Sequence, residues 1–319
     1  MSKRTVLVTG GSGFIGSEVI HQLSLRGYRT INLDICRPKI LRPGAHYVQH
    51  DLRKAIRFEQ LPGQPDACIH LAAHIGNVVY GNTHPARMLA DNALIDIQAL
   101  QASAAARISR FIYVSSSLVY EQSSSFPFTE DCSERIPTPK LAYSFEKVFG
   151  ERLCQAFHKE FGLPYTICRL FNAYGLTSDG QEDIHRHAIA DLLEKVLSGQ
   201  YPVEILGRGE QKRNYSHVRD LARSLLCVLE NSRSENETFN LGNAREYSIK
   251  EIVRLIWKLA GQTRPLKIRQ LPALSEDIAR NRPSLKKARQ VLGWKTEINM
   301  KEGLAELIAF KRKGAENGR

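Results

Sequence analysis

No stretch of this sequence is apolar over the ~18 residues that a membrane-crossing helix requires. A transmembrane segment is therefore excluded, and no membrane partner is expected. The first residues, MSKRTVLVTGG, are basic, but glycines arrive at once. A secretory leader needs a longer apolar region and a small-residue cleavage site, so a cytoplasmic protein is expected. Also missing is any Cys-x-x-Cys pair: the six cysteines, Cys36, Cys68, Cys132, Cys154, Cys168 and Cys227, are scattered. Such spacing suggests neither a disulfide framework nor a zinc site, so no metal is expected, and most of these thiols read as small buried hydrophobes. Internal repeats and low-complexity tracts are absent too. The net charge is +12, yet Lys and Arg are spread along the chain, with only a short basic run at Lys311–Lys313. No nucleic-acid partner is expected from that pattern. A solvated basic surface, with some cations serving small phosphates, accounts for the excess.

What the sequence has is 319 residues, 42% of them hydrophobic, enough for one large core and a smaller lobe. Its first half alternates β-rich runs with helical patterns. Strands are predicted at Thr5–Thr9, Thr30–Leu33, His46–Gln49, Ala67–His70 running on into LAA, Phe111–Ser115 and Tyr165–Arg169. Helices are predicted at Phe14–Arg26, Pro85–Arg107 and Leu141–Phe161. This rhythm predicts an α/β protein with a doubly wound parallel sheet. After about Leu170 the rhythm loosens into turn-rich segments, which predicts a smaller C-terminal α/β lobe that closes over the end of the sheet. There Ser248 and Glu251 form a capping-box pattern before a helix Ile249–Leu259, and Asn299 marks another helix start.

The segment TVLVTGGSGFIG puts Gly10, Gly13 and Gly16 after a strand and into a helix that opens with Phe14 and Ile15. Glycines there let the backbone turn tightly and approach a pyrophosphate, which the helix N-terminus then holds. Asp34 ends the second strand, 18 residues beyond Gly16. A carboxylate at that place accepts hydrogen bonds from a ribose diol and repels a 2′-phosphate, so NAD rather than NADP is the expected cofactor. Arg37, close by, softens that preference. Asp51 and Leu52, after the third strand, are candidates for cradling the adenine.

Tyr143 and Lys147 lie four apart in a strongly helical segment, which puts both on one helix face. A nearby ammonium, together with a bound nicotinamide cation, lowers a phenol's pKa and lets it serve as a base near neutral pH. The fifth strand ends in Ser115, Ser116 and Ser117. A hydroxyl at the carboxyl edge of a parallel sheet faces the ligand crevice, so one of these serines is expected to share a proton path with Tyr143.

TGGSGFIG, LD at Asp34, HLAA, SSSLVY, Y-x-x-x-K and RLFNAYG, in that order over nearly the whole chain, resemble the extended short-chain dehydrogenase/reductase family of nucleotide-sugar epimerases and dehydratases. The resemblance implies a Rossmann domain at residues 1–170, with later segments returning to it, and a mainly substrate-binding lobe at 171–319. It also implies a homodimer, and adds Leu71, Ala72 and Ala73 to the cofactor site. Counting four back from Tyr120, as the family pattern requires, makes Ser116 the catalytic hydroxyl beside Tyr143 and Lys147.

The reaction the resemblance implies is hydride removal from carbon 4 of a nucleotide sugar, giving a keto intermediate. Dehydratases of the family carry Asp-Glu where this chain has Ser117 and Leu118, and leucine moves no protons. Other segments are similar to GDP-mannose 3,5-epimerase and GDP-fucose synthase, but the cysteine of those enzymes is again replaced by Leu118. The expected activity is therefore 4-epimerisation, with a 4-dehydrogenase or 4-keto reductase as the close alternative and a GDP-mannose 3,5-epimerase-like enzyme behind it. From another class, an inactive NAD-binding regulatory protein is the competing reading. Substrate contacts are expected from Ser116, Ser117, Asn172, Arg213 and, less directly, Arg282, with His74, Asn77 and Tyr80 as sugar-pocket candidates. His185 and His187 are weighed as phosphate contacts or as an extra acid/base.

Overall fold

The computed structural model describes residues 4–76, 78–182, 188–272 and 280–317. Asn77, His185 and His187 lie outside the described residues. The strands β1 (Thr5–Thr9), β2 (Arg29–Asp34), β3 (Ala45–Gln49), β4 (Ala67–His70), β5 (Arg110–Ser116) and β6 (Tyr165–Leu170) form most of a central sheet. After β7 (Ala173–Tyr174), β8 (Val203–Leu206), β9 (Lys212–Asn214) and β10 (Ser216–His217), the chain returns to that sheet as β11 (Glu237–Leu241). The order is β11-β6-β5-β4-β1-β2-β3, with every pairing parallel. Strands such as TVLVT, ACIH and FIYVSS are near-continuous apolar runs because both sheet faces are covered. The strand order reverses between β1 and β4. In doubly wound sheets, ligands bind beyond the carboxyl ends of the strands at such a reversal.

One face of the sheet packs Val19, Ile20 and Leu23 of α1 (Phe14–Leu25) with residues of a later helix, Val218–Glu230. The helices between these two are α2 (Val78–Thr83), α3 (Pro85–Ala105), α4 (Ala142–Phe161) and α5 (Ala188–Leu197), so Val218–Glu230 is α6. The opposite face packs Ile95, Ala99 and Leu100 of α3 with Cys154 of α4. A separate apolar core consists of residues from Tyr174 onward. It joins α5 and β8 to α7 (Ile249–Leu259) and, past the short α8 (Lys286–Leu292), to α9 (Met300–Asn317). The strands β12 (Glu246–Ser248) and β13 (Ile268–Leu271) pair with β9 and β8.

The caps expected in this second part form as the sequence suggests. Ser248 and Glu251 exchange both bonds of a capping box, and Asn299 and Glu302 do the same at the start of α9. Two departures are informative. Strand β4 stops at His70 instead of continuing into LAA. Leu71 N still donates to Thr9 O at 3.1 Å, but Ala72 N turns to the side-chain hydroxyl, Thr9 Oγ1, at 3.2 Å, which ends the ladder. Helix α6 was not foreseen, although its buried face supplies Leu221, Leu225 and Leu226 to the core under the sheet.

Candidate active site

Gly10 follows β1 at φ +69°, a conformation that favours glycine. A Cβ there would lie 2.7 Å from Ala72 N, and one on Gly16 would lie 2.1 Å from Gly10 O. The turn is therefore closed against β4 on one side and against α1 on the other. Gly13 differs. Its Cβ would meet only Gly10 O, at 3.3 Å, so it sits at the open side of the turn. No side chain caps α1. Asp34 reaches back to this turn, accepting Ser12 N and Cys36 N at 2.9 Å each. These features fit a dinucleotide: a tight turn with one open face, a helix N-terminus and a carboxylate alongside. Phe14 and Ile15 open α1, and Leu71, Ala72 and Ala73 line the neighbouring strand end. Leu52 is buried, and the Asp51 carboxylate is engaged by Arg53, whose hydrogen bonds hold it down at about 2. Arg37 is exposed.

At the carboxyl end of β5 stand the three serines, and their partners separate them. Ser115 donates to Glu151 Oε1 at 2.6 Å, and that carboxylate also pairs with buried Arg169. Ser117 accepts Asn281 Nδ2 at 3.0 Å. Ser116 alone of the three eases ionisation of Tyr143, and it caps the following turn by accepting Leu118 N. The start of α4 is fixed by Glu121, which accepts Lys140 N at 3.0 Å and Leu141 N at 3.1 Å. Tyr143 is the second residue of that helix, with Lys147 Nζ 5.7 Å from its ring centroid. Among this chain's own groups, burial pushes Tyr143 above its usual range, while Lys147 and Ser116 pull it back and Glu146 and Asp96 oppose them. The lowering expected from the sequence also needs the bound nicotinamide cation.

Behind Lys147 lies a group of buried polar residues that sequence reasoning missed. Thr9 Oγ1 is 2.7 Å from His70 Nδ1, and His70 Nε2 is 3.0 Å from Asp96 Oδ1. Tyr113 donates to Asp96 Oδ2 at 2.8 Å, and Glu146 Oε1 lies 3.3 Å from the same hydroxyl. Lys147 Nζ is 3.5 Å from that hydroxyl and 3.6 Å from Glu146 Oε2. Burial pulls the Lys147 ammonium down, but Glu146, Tyr143 and Asp96 outweigh it and hold it above the ordinary range. One signal was present in the sequence: Gly150, in the middle of α4. A Cβ there would lie 2.0 Å from Tyr113 Oη and 2.4 Å from Asp96 Oδ2.

The remaining expected positions are more dispersed. Asn172 Nδ2 donates to Asn214 O at 2.7 Å, beside β9, which carries Arg213. Arg282 is exposed, and its carbonyl accepts Phe128 N. Arg280, not foreseen, bridges to Lys212 in β9 and forms a forked pair with Glu246. His74 is tied down, with Nδ1 2.8 Å from Asp91 and its backbone N donating to Asn92; its ring is 5.2 Å from that of Tyr80. Among the described residues no helix is long and apolar enough to cross a membrane.

Residues 6–242 match the model of the NAD dependent epimerase/dehydratase family. The chain is 30% identical over 316 residues to a putative UDP-glucose 4-epimerase of Methanocaldococcus jannaschii, covering 96% of this chain and 98% of that one. It is 28% identical over 326 residues to UDP-glucuronic acid decarboxylase 1 of Xenopus tropicalis, covering 99% of this chain and 74% of the relative. Among solved structures it is similar to the UDP-glucose 4-epimerase of Thermotoga maritima, determined with UDP-glucose. The TM-score is 0.84 at 28% identity, over 98% of this chain and 99% of that one. The family model spans the glycine turn, Asp34, the three serines, Tyr143 and Lys147. The chain belongs to the NAD-dependent epimerase/dehydratase family and is an enzyme that uses NAD.

Proposed function

We propose that this enzyme is a nucleotide-sugar 4-epimerase acting through a transient 4-keto sugar. The observation that carries the reading is the selection among the serines: Glu151 holds Ser115 and Asn281 holds Ser117, which leaves Ser116 as the hydroxyl that eases ionisation of Tyr143. In this reading Gly10, Gly13, Phe14, Ile15 and Gly16 hold the pyrophosphate, Asp34 takes the ribose diol, and Leu52 and Leu71–Ala73 flank the nucleoside halves. NAD bound there supplies hydride acceptance and return at the sugar carbon. Tyr143 Oη takes the proton of the 4-hydroxyl and later gives it back. Ser116 holds the same sugar oxygen, and Lys147 stabilises the phenolate through its charge.

Residues 171–319 form the substrate lobe in this reading, while β11 belongs with the nucleotide half. Asn172 and Arg213 take the diphosphate, an arginine fork being suited to it. Arg280 joins them by its place against β9. UDP-sugars are favoured over GDP-sugars by the names of the relatives. Leu118 stands where a 3,5-epimerase needs an acid/base, so chemistry at carbons 3 and 5 is disfavoured. The decarboxylase relative supports one second reading, in which a UDP-uronic acid is oxidised at carbon 4 and then loses carbon dioxide.

Incubating the enzyme with UDP-glucose, UDP-N-acetylglucosamine, UDP-glucuronic acid and GDP-mannose, each with substoichiometric NAD, and following products by NMR tests this. A 4-epimer formed in many turnovers per NAD is expected. A pentose product selects the decarboxylase reading. NADH formed in proportion to product overturns epimerisation in favour of net oxidation, and no turnover of any sugar leaves the inactive-protein reading.

A further inference from the structure

The buried residues behind Lys147 place two carboxyls, one ammonium and one phenol within a few ångströms, and simple proton accounting constrains them. The Tyr113 hydroxyl has a single hydrogen. It points to Asp96 Oδ2, the nearer carboxyl oxygen, at 2.8 Å. Glu146 Oε1, at 3.3 Å from the same oxygen, can then make a favourable contact only by carrying a proton of its own. Glu146 Oε2 supports this. It is buried without a hydrogen bond, and the Lys147 ammonium stands off at 3.6 Å instead of closing a tight pair with it. Asp96 differs in every respect that matters. It receives Tyr113 on one oxygen and His70 on the other, as an ionised carboxylate requires.

The groups facing Glu146 come from each element packed around it. They are Asp96 of α3, Tyr113 of β5, and Lys147 of α4 with Tyr143 beyond it. His70 of β4 stands behind Asp96, and Cys154 lies further along α4. Asp96 and Glu146 are both 1% exposed and Lys147 is 4% exposed, so these charges act on one another with little screening by water.

We propose that Glu146 is a positioning residue for Tyr143. Held as a neutral acid while Asp96 is ionised, it leaves the Lys147 charge directed at the phenol, and its own ionisation makes the phenol harder to deprotonate. The energetic directions agree: burial pushes Glu146 up to about 8, and an ionised Glu146 raises Tyr143. The inference rests on Tyr143 being the base of the proposed reaction, but its tests need no sugar.

Infrared spectroscopy of the native protein at about pH 6.5, where ordinary carboxyls are ionised, should show the carbonyl stretch of a protonated carboxyl. Glu146→Gln should remove that band, and a band that persists in this variant belongs to another carboxyl and overturns the assignment. A native spectrum without the band overturns the proposal even if neither variant folds. In the second measurement, Tyr143 is titrated by its ultraviolet phenolate absorbance, taken as the difference from Tyr143→Phe in the same background. Glu146→Gln should lower the midpoint by about one pH unit, because the anion that opposes ionisation is gone. An unchanged midpoint contradicts the positioning role. Failure to turn over any nucleotide sugar refutes the proposed function and leaves both of these readouts standing.

Discussion

Asp34 Oδ2 accepts the backbone N–H of Ser12 at 2.9 Å, so the carboxylate assigned to the ribose is also a brace for the glycine turn assigned to the pyrophosphate. Removing it should do two things. Asp34→Ala should weaken NAD binding about tenfold, the scale of a lost charge-assisted hydrogen bond, and should narrow the preference for NAD over NADP. Calorimetric titration with both nucleotides measures this. Unchanged NAD affinity would show that the ribose is held elsewhere.

Gly150 is expected to be intolerant of any side chain. A methyl group there would be driven into Tyr113 Oη and Asp96 Oδ2. Overpacking of a tight buried site costs ~1–3 kcal/mol, and here it also displaces a hydrogen bond to a carboxylate. Urea unfolding of Gly150→Ala should show a loss of at least this size. A stability within about 0.5 kcal/mol of the native value would mean that the buried polar group yields easily.

His217 gives the clearest acid-side prediction. It caps α6 by accepting Arg219 N at 3.3 Å, and it is 1% exposed. Burial, aided by the charge of Arg219, lowers its pKa from 6.5 to about 3. A folded-state value below the unfolded one means the unfolded chain binds the extra proton. Stability is therefore fully present above about pH 6.5 and is lost as pH falls toward about 3. Asparagine at this position keeps a cap acceptor without titrating. Thermal melts from pH 7 downward should show a shallower decline for His217→Asn than for the native protein. Parallel declines would contradict the neutral, buried imidazole.

Glu146 predicts the opposite slope. Its carboxyl is raised by burial from 4.5 to about 8, so the folded protein holds a proton that the unfolded chain releases. The associated stability is present below about 4.5 and is lost as pH rises through about 8. The melting temperature of Glu146→Gln should therefore gain on the native value across that interval. A constant difference between the two would argue for a structural contact without titration.

The sheet was legible in the sequence because strands such as β1, β4, β5 and β6 are buried and read as apolar runs. The edge strand β3, with no buried residue, gave a weaker signal. Strand β11 has no local signal that says which sheet it joins, and only packing beside β6 decides it. Tyr143, Lys147 and Ser116 were legible because spacing on a helix and place at a strand end are local properties. Asp96 and Glu146 were not. A carboxylate on an amphipathic helix reads as solvent-facing, and only the approach of α3 to α4 across Gly150 turns these two inward. The burial and the two carboxyls that push Tyr143 up were hidden for the same reason, since only the neighbouring ammonium was visible.

The most direct test of the account is the comparison of native protein with Tyr143→Phe, measuring both nucleotide-sugar turnover by NMR and NAD affinity by calorimetry. Loss of at least about a hundredfold in turnover, with NAD affinity changed by less than about fivefold, is the predicted result. Turnover near the native rate would remove the phenol from the chemistry and, with it, the reading of Ser116 and Lys147 as its partners.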